Sequence, residues 1–448
     1  VTYGTGVKKL PYWISALIFD DASGDYYKSL ANYASGSYQF KYIFPTSAPT
    51  YVTDPSDLKN IRFINTTLQS SLVAQIQSSF SYISSLANIS FTATADNLNQ
   101  SALATSTFAF FTNDQEGSAG YASAPSSSFK GNDVFLNNDF DLLQFSYITS
   151  FNEVLRFEES TNTIYNGTTT YPLDSLTNVQ AAQSMLNGVL LQDEAGRSIR
   201  LNAQGFLTQA TNSYSTSLSG ITVAGYVNGT TGPNPPTPAA VGVTNAGLLT
   251  VIHELGHALG LKHPFTDPNG VGGSGTPPFL GSISRTSQNG EPAFTGFEND
   301  SVYTVMSYNS HEAQWQLKFS DLDIASLQYL WGPSKTTRSG SNIYSISYNG
   351  TSYNVTSSDS YSSPSSFIWD GGGTDAIDAS NVTTGNGVTI YLTPGYWGFV
   401  NSLRADTAAG GDAGVSDKST WTTQRITSPG QITINFGTFI ENLKGSSN

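Results

Sequence analysis

A chain of 448 residues is long enough for two or three domains with well-buried cores. Its formal charge of −14, with only 19 lysines and arginines, argues against nucleic acid or anionic membrane as a partner and suits an extracellular protein loaded with calcium. The absence of cysteine excludes disulfides, thiolate metal ligands and a cysteine-based latency switch. No run approaches the roughly 18 apolar residues of a membrane span, and the N-terminus lacks a basic-then-apolar signal pattern, so the sequence reads as a mature or trimmed form.

Up to about residue 51 the sequence is aromatic and rich in Ser and Gly. An N-terminal arm leads into Tyr38-Gln39-Phe40-Lys41-Tyr42-Ile43-Phe44-Pro45, which alternates like a strand and is stopped by proline. Ile61, Ile64, Leu68, Leu72, Ile76, Phe80 and Ile83 recur at helical spacing and predict one long amphipathic helix over about 60–85. Strands follow at Ile89-Ser90-Phe91-Thr92-Ala93, Thr107-Phe108-Ala109-Phe110-Phe111 and Asp133-Val134-Phe135-Leu136-Asn137. Between the last two, Gly117-Ser118-Ala119-Gly120-Tyr121-Ala122-Ser123-Ala124-Pro125 reads as a loop of small residues. The stretch over about 139–242 contains an acidic amphipathic piece at 151–159, a helix at 178–191 and a proline-rich hinge at 232–238. A structureless loop of that length is unusual in a compact domain. The stretch is therefore expected to fold over or beside a cleft, as a lid that restricts access or as an exosite.

Three of the four histidines fall within His253-Glu254-Leu255-Gly256-His257-Ala258-Leu259-Gly260-Leu261-Lys262-His263. Thr244 or Asn245 can cap a helix that runs through this motif. Residues four apart share a helix face, so His253 and His257 can present nitrogens to one point. Gly260 can end the helix in a left-handed conformation, His263 returns as a third ligand, and Pro264 prevents helix from resuming. Three neutral imidazoles with an open fourth position describe a catalytic rather than a structural zinc. Zinc would lower the pKa of its water to about 7. Glu254 is then the base that takes the proton as hydroxide attacks a carbonyl, and the acid that returns it to the leaving amine. The bland alternative is a helix whose histidines fill ordinary polar or core positions, and the extended motif is specific enough to weigh against it. His311 reads as an ordinary polar residue. A Gly/Pro/Ser-rich loop over 267–296 follows the motif.

The extended motif resembles the metzincins, and further segments resemble their serralysin branch. The small-residue segment from Gly117 to Pro125 also resembles the edge strand at the upper rim of the cleft in that clan, to which an extended peptide could add. Ser301-Val302-Tyr303-Thr304-Val305-Met306-Ser307-Tyr308 has the form of the methionine-containing turn beneath the zinc in that clan. By this resemblance Met306, one of only two methionines, forms an apolar floor under the histidines, a place suited to a flexible, polarizable thioether. The resemblance also implies that Tyr308 can ligate zinc at rest and swing to hydrogen-bond the tetrahedral intermediate; an ordinary packed tyrosine is the alternative. Phe319-Ser320-Asp321-Leu322-Asp323-Ile324-Ala325-Ser326-Leu327-Gln328-Tyr329-Leu330-Trp331-Gly332 resembles the helix that ends the serralysin protease domain, capped by Ser or Asp and closed by Gly.

From Pro333 onward, short strands and Gly/Ser/Asn turns predict a β-rich domain. Thr337-Arg338-Ser339-Gly340-Ser341-Asn342 and Trp369-Asp370-Gly371-Gly372-Gly373-Thr374-Asp375-Ala376-Ile377-Asp378 resemble the two segments that bracket calcium in the serralysin C-terminal domain. Carboxylates and carbonyls along glycine turns suit that hard cation. The resemblance carries the calcium role to the side chains of Asp370 and Asp375 and to the backbone oxygens of Arg338, Gly340, Gly372 and Gly373. Asn342 and Glu441 are further candidates, and a metal-free Asp-capped turn is the alternative. The family's glycine-rich nonapeptide repeats are expected after Ile440-Glu441-Asn442. Their absence from the sequence is consistent with processing or with a member that lacks them.

The resemblance implies an α+β fold. A metzincin-like zinc protease domain, a twisted sheet plus long helices, is expected over 1–332 with the insertion at about 139–242. A β-rich calcium-binding domain, the start of a serralysin-like β-roll region, is expected over 333–448. The implied protein is a secreted, extracellular bacterial zinc endopeptidase acting on protein or peptide substrates. Cell-surface association, a proteinaceous inhibitor and a monomeric state are further expectations. Two alternatives stand beside it. One is a surface-associated binding or structural protein that keeps the metal site for folding. The other is a metal-dependent amidase or glycan-directed hydrolase, which fits a zinc-water site but not the methionine turn.

Overall fold

A computed structural model of the chain describes residues 11–18, 38–59, 61–64, 70–94, 107–113, 115, 118–125, 132–137, 245–264, 298–308, 317–359, 365–401 and 425–446, with further strands and a helix between 143 and 243 and two strands within 284–294. Its helices are α1 (Tyr12–Ser15), α2 (Ser70–Leu86), α3 (Leu176–Met185), α4 (Asn245–Ala258) and α5 (Asp321–Trp331). The chain divides into two compact units. One comprises Val1–Tyr42, Ser79–Ala93 and Leu255–Asn448, the other Ile43–Ser78 and Thr94–Glu254.

In the second unit the strand Thr107–Asn113 is buried along its whole length, as its apolar run Phe108-Ala109-Phe110-Phe111 requires. It pairs in parallel with Val134–Asn137, which pairs antiparallel with Gly120–Ala122. Gly120–Ala122 ends the sheet order, so the small-residue segment is an edge strand.

Helix α2 is shorter than its sequence pattern predicts. Leu72, Ile76, Phe80, Ile83 and Leu86 are buried on one face, but Arg62–Phe63 is a strand paired antiparallel with Thr107–Asn113. Ile61 and Phe63 alternate, and both pack on the cluster of Ile43, Val52, Ala109, Phe111 and Phe135. Apolar neighbours at a pleated surface prevail over helical continuation there. Leu68 lies outside the described residues.

The insertion has secondary structure of its own. One antiparallel sheet joins Leu155–Glu158, Thr163–Asn166 and Thr169–Pro172. Another orders Leu207–Gln209, Ser198–Leu201, Val189–Gln192 and Thr222–Tyr226. The acidic piece contributes the first of these strands. The helix expected over 178–191 spans Leu176–Met185 instead, and Val189–Gln192 is a strand; Asn187-Gly188 interrupts the helical period. Leu143–Phe145 pairs antiparallel with Ala240–Val243, which brings the two ends of the insertion together. The proline-rich hinge lies outside the described residues.

In the first unit Tyr38–Ile43 runs parallel to Ile89–Ala93, with Tyr38 opposite Ile89. Trp331 of α5 packs on Tyr38 and Phe40 at ring-centroid distances of 5.1 and 5.2 Å. Helix α5 starts at a capping box, Ser320 with Asp323, and closes at Gly332, whose φ is +77°. This matches the sequence signature at both ends. The loop before the methionine turn includes a hairpin, Ser284–Thr286 with Pro292–Phe294.

Beyond Pro333 two four-stranded sheets form. One orders Tyr353–Ser357, Ile343–Tyr348, Ala376–Val382 and Asn442–Lys444; the other orders Phe367–Ile368, Gln431–Ile434, Trp397–Val400 and Val388–Thr389. Tyr344, Ile346, Ile377, Ala379, Val400, Ile432 and Ile434 share a buried core. In Ile343–Tyr348 and Ala376–Val382 alternate residues face inward, as period-2 patterning dictates.

Candidate metal centre

Helix α4 is one continuous element, so His253, Glu254 and His257 ride on a single rigid rod. Val251, Ile252, Leu255, Ala258 and Leu259 are buried and anchor it. The helix ends in a Schellman turn. Gly260 at φ +104° donates to the His257 carbonyl at 3.0 Å, and the Leu261 N–H donates to the Gly256 carbonyl at 2.9 Å. Only glycine takes that conformation at low cost, and the turn sends His263 back toward the helix. Trp331 secures the end by donating its indole N–H to the Leu259 carbonyl at 2.9 Å.

Among the described residues, His253, His257 and His263 form a group whose donor atoms all lie within 4.8 Å of one another. The Nε2 atoms of His257 and His263 are 3.0 Å apart. On the other side of its ring, His257 Nδ1 lies 2.9 Å from the Leu261 carbonyl. A carbonyl there requires an N–H on Nδ1, which leaves Nε2 as a lone-pair donor. Two imidazole nitrogens that close, with a third nearby, suit a cation between them, and a set of three imidazoles suits zinc.

Glu254 is 4% exposed, and its Oε2 is buried without a hydrogen-bond partner. Burial pushes its carboxyl up to about 8. It faces the edge strand: a Cβ on Gly120 would stand 2.9 Å from Glu254 Cγ and 3.2 Å from Oε1. Sequence reading placed the glycine on the strand but not against the carboxylate, because the contact joins positions far apart in the chain.

Met306 is fully buried and lies against α4 at Gly256, where a Cβ would come within 2.7 Å of its sulfur. The glycine between Leu255 and His257 thus makes room for the thioether. Asp323 of α5 holds the methionine turn. It accepts from Thr304 Oγ1 at 2.5 Å and from the Val305 N–H at 2.9 Å, and it also accepts the Ser320 N–H of the capping box at 2.9 Å. Its burial pushes the carboxyl up to about 7 against the pull of these donors. That Ser or Asp caps the helix was visible in the sequence; Asp323's hold on the methionine turn was not. Tyr308 packs against His263 with ring centroids 4.5 Å apart and the ring planes tilted by 58°, and it remains 55% exposed. His311 lies outside the described residues.

The residues assigned to calcium also converge. Asp370 and Asp375 are buried. Asp370 accepts from the Gly372 N–H and the Tyr344 hydroxyl, each at 2.7 Å. Asp375 accepts the Asn342 N–H at 2.7 Å, and its own N–H goes to Glu441 at 2.7 Å. Asp375 Oδ2 and Asn342 Oδ1 are buried without a hydrogen-bond partner, and oxygens left so are expensive unless a cation meets them. Gly373, at φ +141°, leaves no room for a Cβ beside the Gly340 carbonyl. Burial first, and then Asp375, push the Asp370 carboxyl up to about 6. The Arg338 guanidinium lies 4.7 Å over the Trp369 ring and pairs with Asp359 at 3.0 Å, which holds its backbone at φ +51°.

Fold and site together define an α+β protein with a three-histidine group that could hold a metal ion, a neighbouring buried glutamate and a buried methionine packed on the same helix. Comparison with known proteins narrows the class. The chain is similar to serralysin-type metalloproteases. It is 38% identical to a serralysin of Proteus mirabilis over 144 residues, 30% of this chain and 26% of that protein. It is 30% identical to serralysin C of Dickeya chrysanthemi over 167 residues, 36% and 31% of the two chains. It is 33% identical to the metalloprotease AprA of Pseudomonas entomophila over 165 residues, 34% and 30%. The match thus spans about a third or less of each relative's length. No family model matches the chain.

Proposed function

We propose that the chain is a secreted zinc-dependent endopeptidase of the serralysin type. The observation that carries this reading is the convergence of the His253, His257 and His263 donors within 4.8 Å, with Glu254 beside them on the same helix. Zinc, held by those three histidines, supplies a Lewis acid and a nucleophilic water at neutral pH. The chain's own residues do the rest. Leu261 holds His257 in the tautomer that keeps Nε2 free. Glu254, buried and with Oε2 unpartnered, would be kept ionised by a neighbouring dication despite its burial; it takes a proton at that oxygen and returns it to the leaving amine. The edge strand Gly120–Ala122 offers unpaired backbone groups, to which an extended substrate adds as a further strand. Tyr308, exposed and packed against His263, can donate its hydroxyl to the oxyanion that develops.

Calcium is the second cofactor of the proposal. Asp370, Asp375 and Asn342 offer side-chain oxygens and Arg338, Gly340, Gly372 and Gly373 carbonyls, with Glu441 at the rim. The orphaned oxygens of Asp375 and Asn342 support that role. No described helix is long and apolar enough to cross a membrane. Digestion of a denatured protein mixture with and without chelator, followed by reading of the new termini, tests the activity. Chelator-sensitive cleavage is expected, and cleavage indifferent to chelator would overturn the proposal.

A further inference from the structure

Lys262 is 1% exposed although it lies directly beside His263. A buried ammonium is costly unless polar groups surround it, and proposed catalysis makes no use of it. Its Nζ donates to the Ala16 carbonyl at 2.7 Å and to the His263 carbonyl at 3.2 Å. Its backbone N–H donates to the Leu17 carbonyl at 2.8 Å, and Ile18 forms an antiparallel bridge with Leu261. Ala16 lies 246 residues away in the chain and Leu17 is its neighbour, so the bonds to them tie the N-terminal segment to the turn that carries the third histidine.

The N-terminal segment is itself firmly held. Tyr12, Trp13, Ile14, Leu17 and Ile18 are each no more than 4% exposed. The Tyr12 hydroxyl donates to Glu298 at 2.8 Å and accepts the Ile426 N–H at 2.9 Å. Glu298 also takes the Thr427 hydroxyl at 2.7 Å, and Trp13 meets Trp397 edge-on at 5.1 Å. Glu298 immediately precedes Asn299, whose side chain accepts the Ser307 hydroxyl at 2.8 Å. Residues 11–18 therefore fasten both segments that frame the histidines, the Leu261–His263 turn and the start of the methionine turn.

We propose that residues 11–18 are a structural part of the metal centre, clamped there by Lys262, which acts as a positioning residue for His257 and His263. The route is short. The bridge to Ile18 fixes Leu261, whose carbonyl lies 2.9 Å from His257 Nδ1, and the ammonium fixes the His263 backbone. Groups that orient metal-ligating histidines are worth roughly ten- to a hundred-fold in metal affinity. The inference rests on the three-histidine reading of the site.

Lys262→Met keeps the length of the side chain and removes its donors. Chelator competition on the full chain should show zinc held roughly ten- to a hundred-fold more weakly, and the visible spectrum of the cobalt-substituted variant should shift. Wild-type affinity and an unchanged cobalt spectrum would overturn the inference, even if the variant melts earlier, because a purely structural lysine predicts that combination. Should the variant fail to fold, the wild type decides. Coupling is reciprocal, so zinc loading should slow hydrogen exchange at the Lys262 amide, and equal exchange with and without zinc would overturn the clamp. A wild type that binds no zinc sinks both this inference and the metal-site reading. Normal zinc binding by Lys262→Met sinks this inference alone.

Discussion

Gly120→Ala offers a direct probe of how Glu254 is positioned. Gly120 has no left-handed backbone requirement, so alanine meets no torsional penalty, and a strand should gain about 0.5–1 kcal/mol from the exchange. Against that, the new methyl would stand 2.9 Å from Glu254 Cγ and 3.2 Å from both Glu254 Oε1 and the Phe135 carbonyl. Overpacking of this kind costs about 1–3 kcal/mol. The net expectation is a loss of about 1 kcal/mol, which lowers the melting temperature by about 2–4 °C in a unit of this size. The alternative to that loss is a shifted Glu254. In a Glu254→Ala background Cγ is gone, and the same substitution should become neutral or slightly stabilising. Melting temperatures of the wild type, both single variants and the double variant close the cycle, with an expected coupling of about 1 kcal/mol or more. In the active protein Gly120→Ala should lower kcat with little change in KM, since displacement of a reacting group by about 1 Å can cost a hundred-fold. Additive melting temperatures together with unchanged kcat would refute the contact.

Burial raises the Asp323 carboxyl from 3.8 to about 7, so the stability it contributes is full below about pH 4 and lost as pH rises through 7. Asp323→Asn should flatten that part of the pH–stability profile in matched metal states; an unchanged slope would contradict the assignment. Calcium should raise the melting temperature until its sites fill, and Asp375→Asn should weaken that dependence while zinc content stays the same. A calcium-stripped wild type whose melting ignores added calcium would mark the glycine turns as plain turns. Because Leu143–Phe145 and Ala240–Val243 are paired, the insertion can be excised between them and replaced by a short turn. Cleavage of large substrates should rise if it is a lid and fall selectively if it is an exosite, whereas unchanged cleavage of every substrate would show that it is neither.

Much of the centre was legible because its information is local. The histidine spacing, Gly260, the capping box at Ser320 and the glycine after Trp331 each act within one or two turns, and each appears where the sequence places it. The edge strand was one of two readings, since small residues fit both; pairing with Val134–Asn137 decides it. What the sequence concealed is long-range. Nothing in the text near Arg62 announces that an aromatic strand will capture it, and nothing near Met185 shows where α3 stops except Asn187-Gly188. The burial of Lys262 was illegible for the same reason: its partners are Ala16 and Leu17, and a lysine after a helix ordinarily reads as solvated. Asp323 showed its cap but not the methionine turn it holds, because the turn's donors, Thr304 and Val305, lie 19 and 18 residues before it.

The central claim is that Glu254 acts on a metal held by three histidines without being a ligand itself. Glu254→Ala, analysed for zinc content and for cleavage of a denatured protein substrate beside the wild type, tests it most directly. The account predicts wild-type zinc content with most of the cleavage lost. A variant that cleaves at near-wild-type rate, or a wild type that carries no zinc, would contradict it.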